Sequence, residues 1–233
     1  YFATMKSALW MEELVTRHST IMDKYDPAKK VALVVDEWGG WYDVEDGTNP
    51  GFLYQQNTMR DAMIAGVTLN IFNNHADRVR MANLAQTINV LQAVILTKGD
   101  QIILTPTYHV MEMYNVHQDA KQVPLAVKTS DYVLGDQKLP AVSVSASKNA
   151  LGVTHITLTN IDAKQAQEIS IDVLGVNYKS VSGRILTSAK LQDHNTFEQR
   201  DKIKPAEFKG AQLKNGKLQV KLPPFSVVVL ELK

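Results

Sequence analysis

The sequence predicts an α/β portion followed by an all-β portion: the C-terminal part of a (β/α)8 barrel over residues 1–118, then an antiparallel β-sandwich over residues 119–233. Three observations lead there. Up to about residue 118, stretches with a period of three to four alternate with short apolar runs, as helices alternate with strands in parallel α/β folds. From about Gln122 the period falls to two, in short segments bounded by turn formers, the pattern of an antiparallel sandwich. The N-terminal half also offers only two strands for three helices, which leaves sheet edges open unless earlier strands complete a larger barrel.

Ala8, Met11, Val15, His18, Met22 and Tyr25 recur at spacings of three and four and mark the inward face of a first helix. Asp26-Pro27 ends it, because the residue before a proline is pushed out of helical space. Val31 to Val35 is a continuous run of the kind buried on both faces of a parallel sheet. After an acidic loop, Asp43 to Gly51, a second helix is expected from about Tyr54 to Asn73, with Met59, Ala62, Met63, Gly66 and Val67 inward. Val79 to Ala85 predicts the second strand, and Tyr108 to Val116 the third helix.

In the second half, "AVSVSASKN", "VTHITLTN", "QEISIDVLG" and "SGRILTS" alternate apolar and polar residues. "QLKNGKLQVKL" predicts a hairpin turning at Asn215-Gly216, and Phe225 to Leu232 the last strand. The lysines here alternate with apolar residues and read as a solvated face. No linker-like composition separates the halves near residues 117–122, so they are expected to pack firmly together.

A chain of 233 residues can bury a core of useful size, and 45% hydrophobic with 21% charged residues is ordinary for a globular protein. A net charge of +1 excludes a broad basic field for nucleic acid or anionic membrane. No apolar run approaches the roughly 20 residues of a membrane helix. The absence of cysteine excludes disulfides and thiolate chemistry, and it fits a periplasmic or secreted polysaccharide degrader without fixing the compartment. The chain starts at Tyr1 with no initiator methionine, so it is expected to be a processed or truncated piece of something longer.

The chemistry centres on "VALVVDEWGGWYD", residues 31–43. Here an apolar strand runs into two acids, Asp36 and Glu37, at the strand end where (β/α)8 barrels carry their active sites. Trp38 and Trp41 offer apolar platforms of the kind sugar rings stack on, and Gly39 and Gly40 allow a sharp turn and close approach. Carboxylate plus platform is part of the kit for glycoside hydrolysis, which needs two acids across the scissile bond. The alternative from pattern alone is a pair of solvated acids and two core tryptophans. Elsewhere, His75 reads as a structural cap and Asp77 and Arg78 as packing ion pairs. Met111 and Met113 read as filler between the two halves. His109 and His117, eight apart, lack the spacing of a metal pair, and no metal or organic cofactor is expected.

"VDEWGGWY" resembles the "DEWNxWY" motif of the α-L-arabinofuranosidases of glycoside hydrolase family 51. "HADRVRMANLAQTINV", residues 75–90, is similar to that family's "HADRVKIACLAQLVNV". "LTSAKLQDHNTFEQRDKIKP" and "LPPFSVVVLEL" resemble its C-terminal sandwich and closing strand. The resemblance covers essentially the whole chain, but only the C-terminal portion of the family's length. It implies that Glu37 is the catalytic nucleophile at the end of the seventh barrel strand. It also implies that Trp41 lines the sugar site and that Gln86, at the end of the eighth strand, hydrogen-bonds the sugar. Many members have asparagine where this chain has Gly39, which implies a roomier or differently bonded subsite.

The resemblance further implies a retaining hydrolase that releases terminal α-L-arabinofuranose from arabinan, arabinoxylan or their oligosaccharides and forms a homo-oligomer when intact. The acid/base glutamate belongs to the fourth barrel strand, outside this chain, so these 233 residues alone are expected to be inactive. The alternative is a non-catalytic carbohydrate-binding or interaction protein that keeps a degenerate barrel remnant.

Overall fold

The chain opens with helix α1, Phe2–Tyr25, which buries Phe2, Met5 and Val15. His18 and Tyr25, expected inward, are exposed: the packed stripe stops at Val15, beyond which the helix extends past the core. The computed structural model describes residues 1–214 and 217–233. Strand β1, Leu33–Trp38, follows and pairs in parallel with β2, Val79–Leu84. The expectation of burial on both faces is not met. Leu33 and Val35 pack on the core, whereas Val34 and Met81 on the other face are exposed, because the helices cover one side only.

Between these strands lies α2, Met59–Asn74, starting five residues later than the periodicity suggests. Thr58 and Asp61 form a reciprocal capping box that sets the start, and Tyr54 to Thr58 stay outside the helix. The five inward positions expected are buried, and so is most of the rest of the helix. A hairpin that the sequence did not announce follows, β3 (Ile95–Lys98) and β4 (Gln101–Leu104). Helix α3, Pro106–Tyr114, starts at the Thr105 cap with proline in its first turn and continues as a 3-10 turn, Asn115–His117.

The β-rich half contains β5 (Lys121–Gln122), the hairpin β6–β7 (Asp131–Leu134, Gln137–Pro140), β8 (Val142–Lys148) and β9 (Thr154–Asn160). It continues with β10 (Gln167–Asp172), β11 (Val181–Leu186), β12 (Ala206–Glu207), β13 (Ala211–Lys214), β14 (Lys217–Leu222) and β15 (Ser226–Leu232). A six-stranded antiparallel sheet, β12-β11-β15-β9-β8-β5, shares its core with the three-stranded sheet β10-β14-β13. β13 and β14 pair antiparallel up to Lys214 and Lys217, but the expected turn at Asn215-Gly216 lies outside the described residues. Lys217 and Lys221 are exposed and paired with Asp172 and Glu168, as a solvated face requires. Among the described residues there are three α-helices and no closed barrel.

The two halves meet where α2 lies on β8, β9 and β15. The alternation of β8 and β9 sorts Val144, Ala146, Ile156 and Leu158 to one face and Ser143, Ser145, Thr157 and Thr159 to the other. That hydroxyl face is turned to the helices. Asn70 Oδ1 accepts from Ser145 Oγ at 3.0 Å, Thr157 Oγ1 at 2.8 Å and Tyr114 Oη at 3.0 Å. Each buried hydroxyl thereby regains a partner lost from water. Thr157 gives its hydrogen to Asn70, so His117 Nε2 donates to Thr157 Oγ1 (3.1 Å) and His117 Nδ1 accepts from Ser147 Oγ (2.7 Å). Burial, reinforced by His155, pushes the His117 pKa down to about 4.

At Gly66 a Cβ would stand 2.6 Å from Thr159 Oγ1 and 3.0 Å from Val227 Cγ2. On an exposed helix Gly→Ala gains about 1 kcal/mol of stability. Here Gly66→Ala is expected to lose about 1–3 kcal/mol by overpacking, read from urea unfolding. A more stable variant would show that the helix does not lie flush on the sheet.

For His117 the folded pKa lies below the unfolded value, so its contribution is complete above about pH 6.5, the unfolded value, and declines as pH falls toward 4. Urea unfolding of the wild type at pH 7, 6 and 5 should show that decline, and His117→Gln should flatten it. An unchanged slope would assign the pH dependence to other groups.

Candidate functional site

The β1–β2 pairing places two strand ends side by side. Val35 pairs with Ala82 and Trp38 with Leu84, with a register shift between them. That shift leaves Asp36 and Glu37 exposed and turns Trp38 inward, where its ring meets Phe72 edge-on at 5.9 Å. Both acids stay in solvent, so the strand end incurs no desolvation cost for them. Gln86 lies two residues past the end of β2 and, like Glu37, is exposed. Ala85 N–H donates to Trp38 O at 3.2 Å, and Gln86 N–H to Leu91 O at 2.6 Å, which fixes the backbone between the two strand ends.

The tryptophans therefore part company: Trp38 is core, and Trp41 is 70% exposed. Both line a cleft of about 380 Å³ between the first turns of α1 and the segment 38–42, closed at its base by Ile64 and Thr68. Trp38 Nε1 is buried without a partner beside this cleft.

Carboxamides, which sequence reasoning passed over, hold the segment. Buried Gln55 accepts from Tyr42 N–H and donates to Gly40 O, both at 2.8 Å. Buried Gln92 donates to Asp61 Oδ1 at 2.9 Å. The Arg60 guanidinium stacks 3.6 Å from the Tyr42 ring centroid and bonds Asp61. Only the Thr58-x-x-Asp61 capping pattern was readable in advance. No local signal marks Gln55 or Gln92. Beside Gly39 the space is taken by Gln92, since a Cβ there would stand 2.7 Å from Gln92 Cγ.

The remaining candidates are structural. His75 caps α2 and bonds Glu12 at 2.6 Å, which raises its pKa. Asp77 pairs with Lys29, and buried Arg78 with Asp23 and Asp26. Met113 is core. His109 and His117 belong to α3 and the turn after it, and burial lowers both pKa values. Among the described residues no cluster of three His, Cys, Asp or Glu side chains is placed to hold a metal.

Residues 36–226 match the family model of the α-L-arabinofuranosidase C-terminal domain. The intracellular exo-α-L-arabinofuranosidase of Bacteroides ovatus is 49% identical over the whole chain, which covers 46% of that protein. The crystal structure of the GH51 arabinofuranosidase from Xanthomonas axonopodis pv. citri superposes with a TM-score of 0.96 at 51% identity, over 98% of this chain and 46% of that one. The α-L-arabinofuranosidase from Thermotoga maritima shares the fold, with a TM-score of 0.83 at 24% identity over 99% of this chain and 49% of that one. The chain thus spans about half the length of the relatives it matches.

Asp61→Ala removes the reciprocal cap of α2 and leaves the buried Gln92 amide without its acceptor. The expected cost is roughly 2–4 kcal/mol by denaturant unfolding. A loss under about 1 kcal/mol, the size of an ordinary exposed cap, would mean that the buried carboxylate does not hold the segment.

Proposed function

Because the chain belongs to the family of the α-L-arabinofuranosidase C-terminal domain, as the C-terminal portion of a glycoside hydrolase family 51 architecture, we propose that it supplies the nucleophile half of a retaining exo-acting arabinofuranosidase site. The observation that carries this reading is that Glu37 and Gln86 are exposed at neighbouring ends of two parallel strands, with Trp41 exposed four residues after Glu37. In the complete enzyme, residues 1–118 form the last two strands of a (β/α)8 barrel, and an N-terminal portion covers the open face at Val34 and Met81. Residues 119–233 are the sandwich.

Glu37 attacks the anomeric carbon of a terminal α-L-arabinofuranosyl unit. A bond forms from its carboxylate oxygen to that carbon as the glycosidic C–O bond breaks. A second carboxylic acid, contributed by the N-terminal portion about 5–5.5 Å away, protonates the leaving oxygen and then takes a proton from the water that hydrolyses the covalent intermediate. Trp41 gives the sugar an apolar wall and Gln86 a hydrogen bond. The substrates are arabinan, arabinoxylan or their oligosaccharides, and the enzyme works as a homo-oligomer without metal or organic cofactor. The name of the Bacteroides relative favours an intracellular setting over a periplasmic or secreted one.

In the complete enzyme, Glu37→Gln is expected to lower turnover of an aryl arabinofuranoside by more than roughly 10³-fold while leaving thermal unfolding unchanged. The 233 residues alone, with one of the two carboxylates, should show no comparable turnover. Near wild-type activity of the variant would remove Glu37 from the mechanism and favour a binding role instead.

A further inference from the structure

Gln92 takes no part in that reaction, yet its side chain lies across the backbone of both glycines after Trp38. The Cβ positions of Gly39 and Gly40 would stand 2.7 Å from Gln92 Cγ and 3.1 Å from Gln92 Nε2. Gly39 has φ +135°, a conformation that side chains rarely adopt, so the site leaves this space free and Gln92 fills it from the opposite loop. The far end of Gln92 is tied to Asp61 Oδ1, and Asp61 Oδ2 holds Thr58 N–H at 2.7 Å, at the rigid start of α2. The neighbouring Leu91 carbonyl holds Gln86 N–H. One short loop thus touches both strand ends.

We propose that Gln92 is a positioning residue that sets where Trp41 stands, by clamping Gly39 and Gly40 against the N-terminus of α2. This rests on the reading of Trp41 as the wall of the sugar site. Glu37 lies inside β1, between the paired residues Val35 and Trp38, whereas residues 39–41 lie beyond the strand and depend on side-chain clamps. Loosening Gln92 should therefore disturb sugar binding more than bond breaking.

Two measurements test this. In the 233-residue chain, a double-mutant cycle compares the drop in unfolding midpoint caused by Gly39→Ala in the wild type and in Gln92→Ala. The strain of φ +135° at residue 39 is common to both backgrounds and cancels. The drop should be at least halved in Gln92→Ala, and an equal drop would show that the two residues are not coupled. In the complete enzyme, Gln92→Ala should raise KM for an aryl arabinofuranoside several-fold with kcat nearly unchanged. A fall in kcat at constant KM would overturn the assignment to Trp41. Should Gln92→Ala fail to fold, Gln92→Met, similar in length but without the amide, carries the same kinetic comparison. If instead Glu37→Gln keeps its activity, the catalytic reading fails while the cycle still reports on Gln92.

Discussion

At Gly66 the backbone of α2 approaches β9 and β15 so closely that no side chain fits between them. The approach is stabilised by what surrounds it. The Tyr114 hydroxyl shares its one hydrogen between Gly66 O at 3.1 Å and Asn70 Oδ1 at 3.0 Å, and Asn70, one turn on, also gathers the hydroxyls of Ser145 and Thr157. Apolar burial alone does not orient a helix, since it is non-directional. A layer of fixed donors and acceptors does, because each misplacement strands a buried polar group at about 1–3 kcal/mol. The hydroxyl layer thus sets the seating of α2, and the apolar positions of that helix, Met59, Met63 and Val67, supply the bulk of the burial around it.

The other end of the α/β portion is organised by charge. Arg78, buried just before β2, donates to Asp26 Oδ2 at 2.8 Å, to Val31 O at 2.9 Å and to Asp26 O at 2.8 Å, and it pairs with Asp23. One guanidinium thereby collects the end of α1, the turn after it and the approach to β1. Its planar fork suits several acceptors at once, which a lysine ammonium would not match. This end lies away from the strand ends that carry Glu37 and Gln86.

Periodicity made most of the elements legible, whether buried on one side or on both. The three helices, the parallel strands and the main strands of the sandwich all stand close to where the alternation of residues puts them. Three things were not legible. The open face at Val34 and Met81 looks in sequence like a fully buried strand, because a pattern records what a residue suits and not what covers it. The serines and threonines of β8 and β9 read as an ordinary polar face, although the absence of Lys, Asp and Glu among them separates them from the solvated lysines of β14. The clamps Gln55 and Gln92 act across long sequence separations, to Gly40, Tyr42 and Asp61, and nothing in their neighbours signals it. Glu37, Trp41 and Gln86 were singled out through a resemblance, whereas the side chains that hold the backbone around them required coordinates.

These supports tie the β-rich half to the strand end. The first free N–H groups of α2 donate to the sandwich half: Met59 N–H to Asp193 O at 2.9 Å and Arg60 N–H to Leu191 O at 3.1 Å. Asn195 from the same loop donates to Leu104 O at 2.9 Å, at the end of the β3–β4 hairpin, and Phe197 packs with Ala93, Leu96 and Ile103. The N-terminus of α2 is also where Asp61 receives Gln92 and Arg60. A displacement of the loop 188–204 would therefore pass through two helix N–H groups to Asp61, and from Asp61 through Gln92 to the glycines before Trp41. The sandwich is in this sense part of the scaffold of the strand end and not an appended module. The connection runs through hydrogen bonds of the buried residues Met59, Asp61, Gln92 and Asn195, each of which is costly to break and leave unpaired.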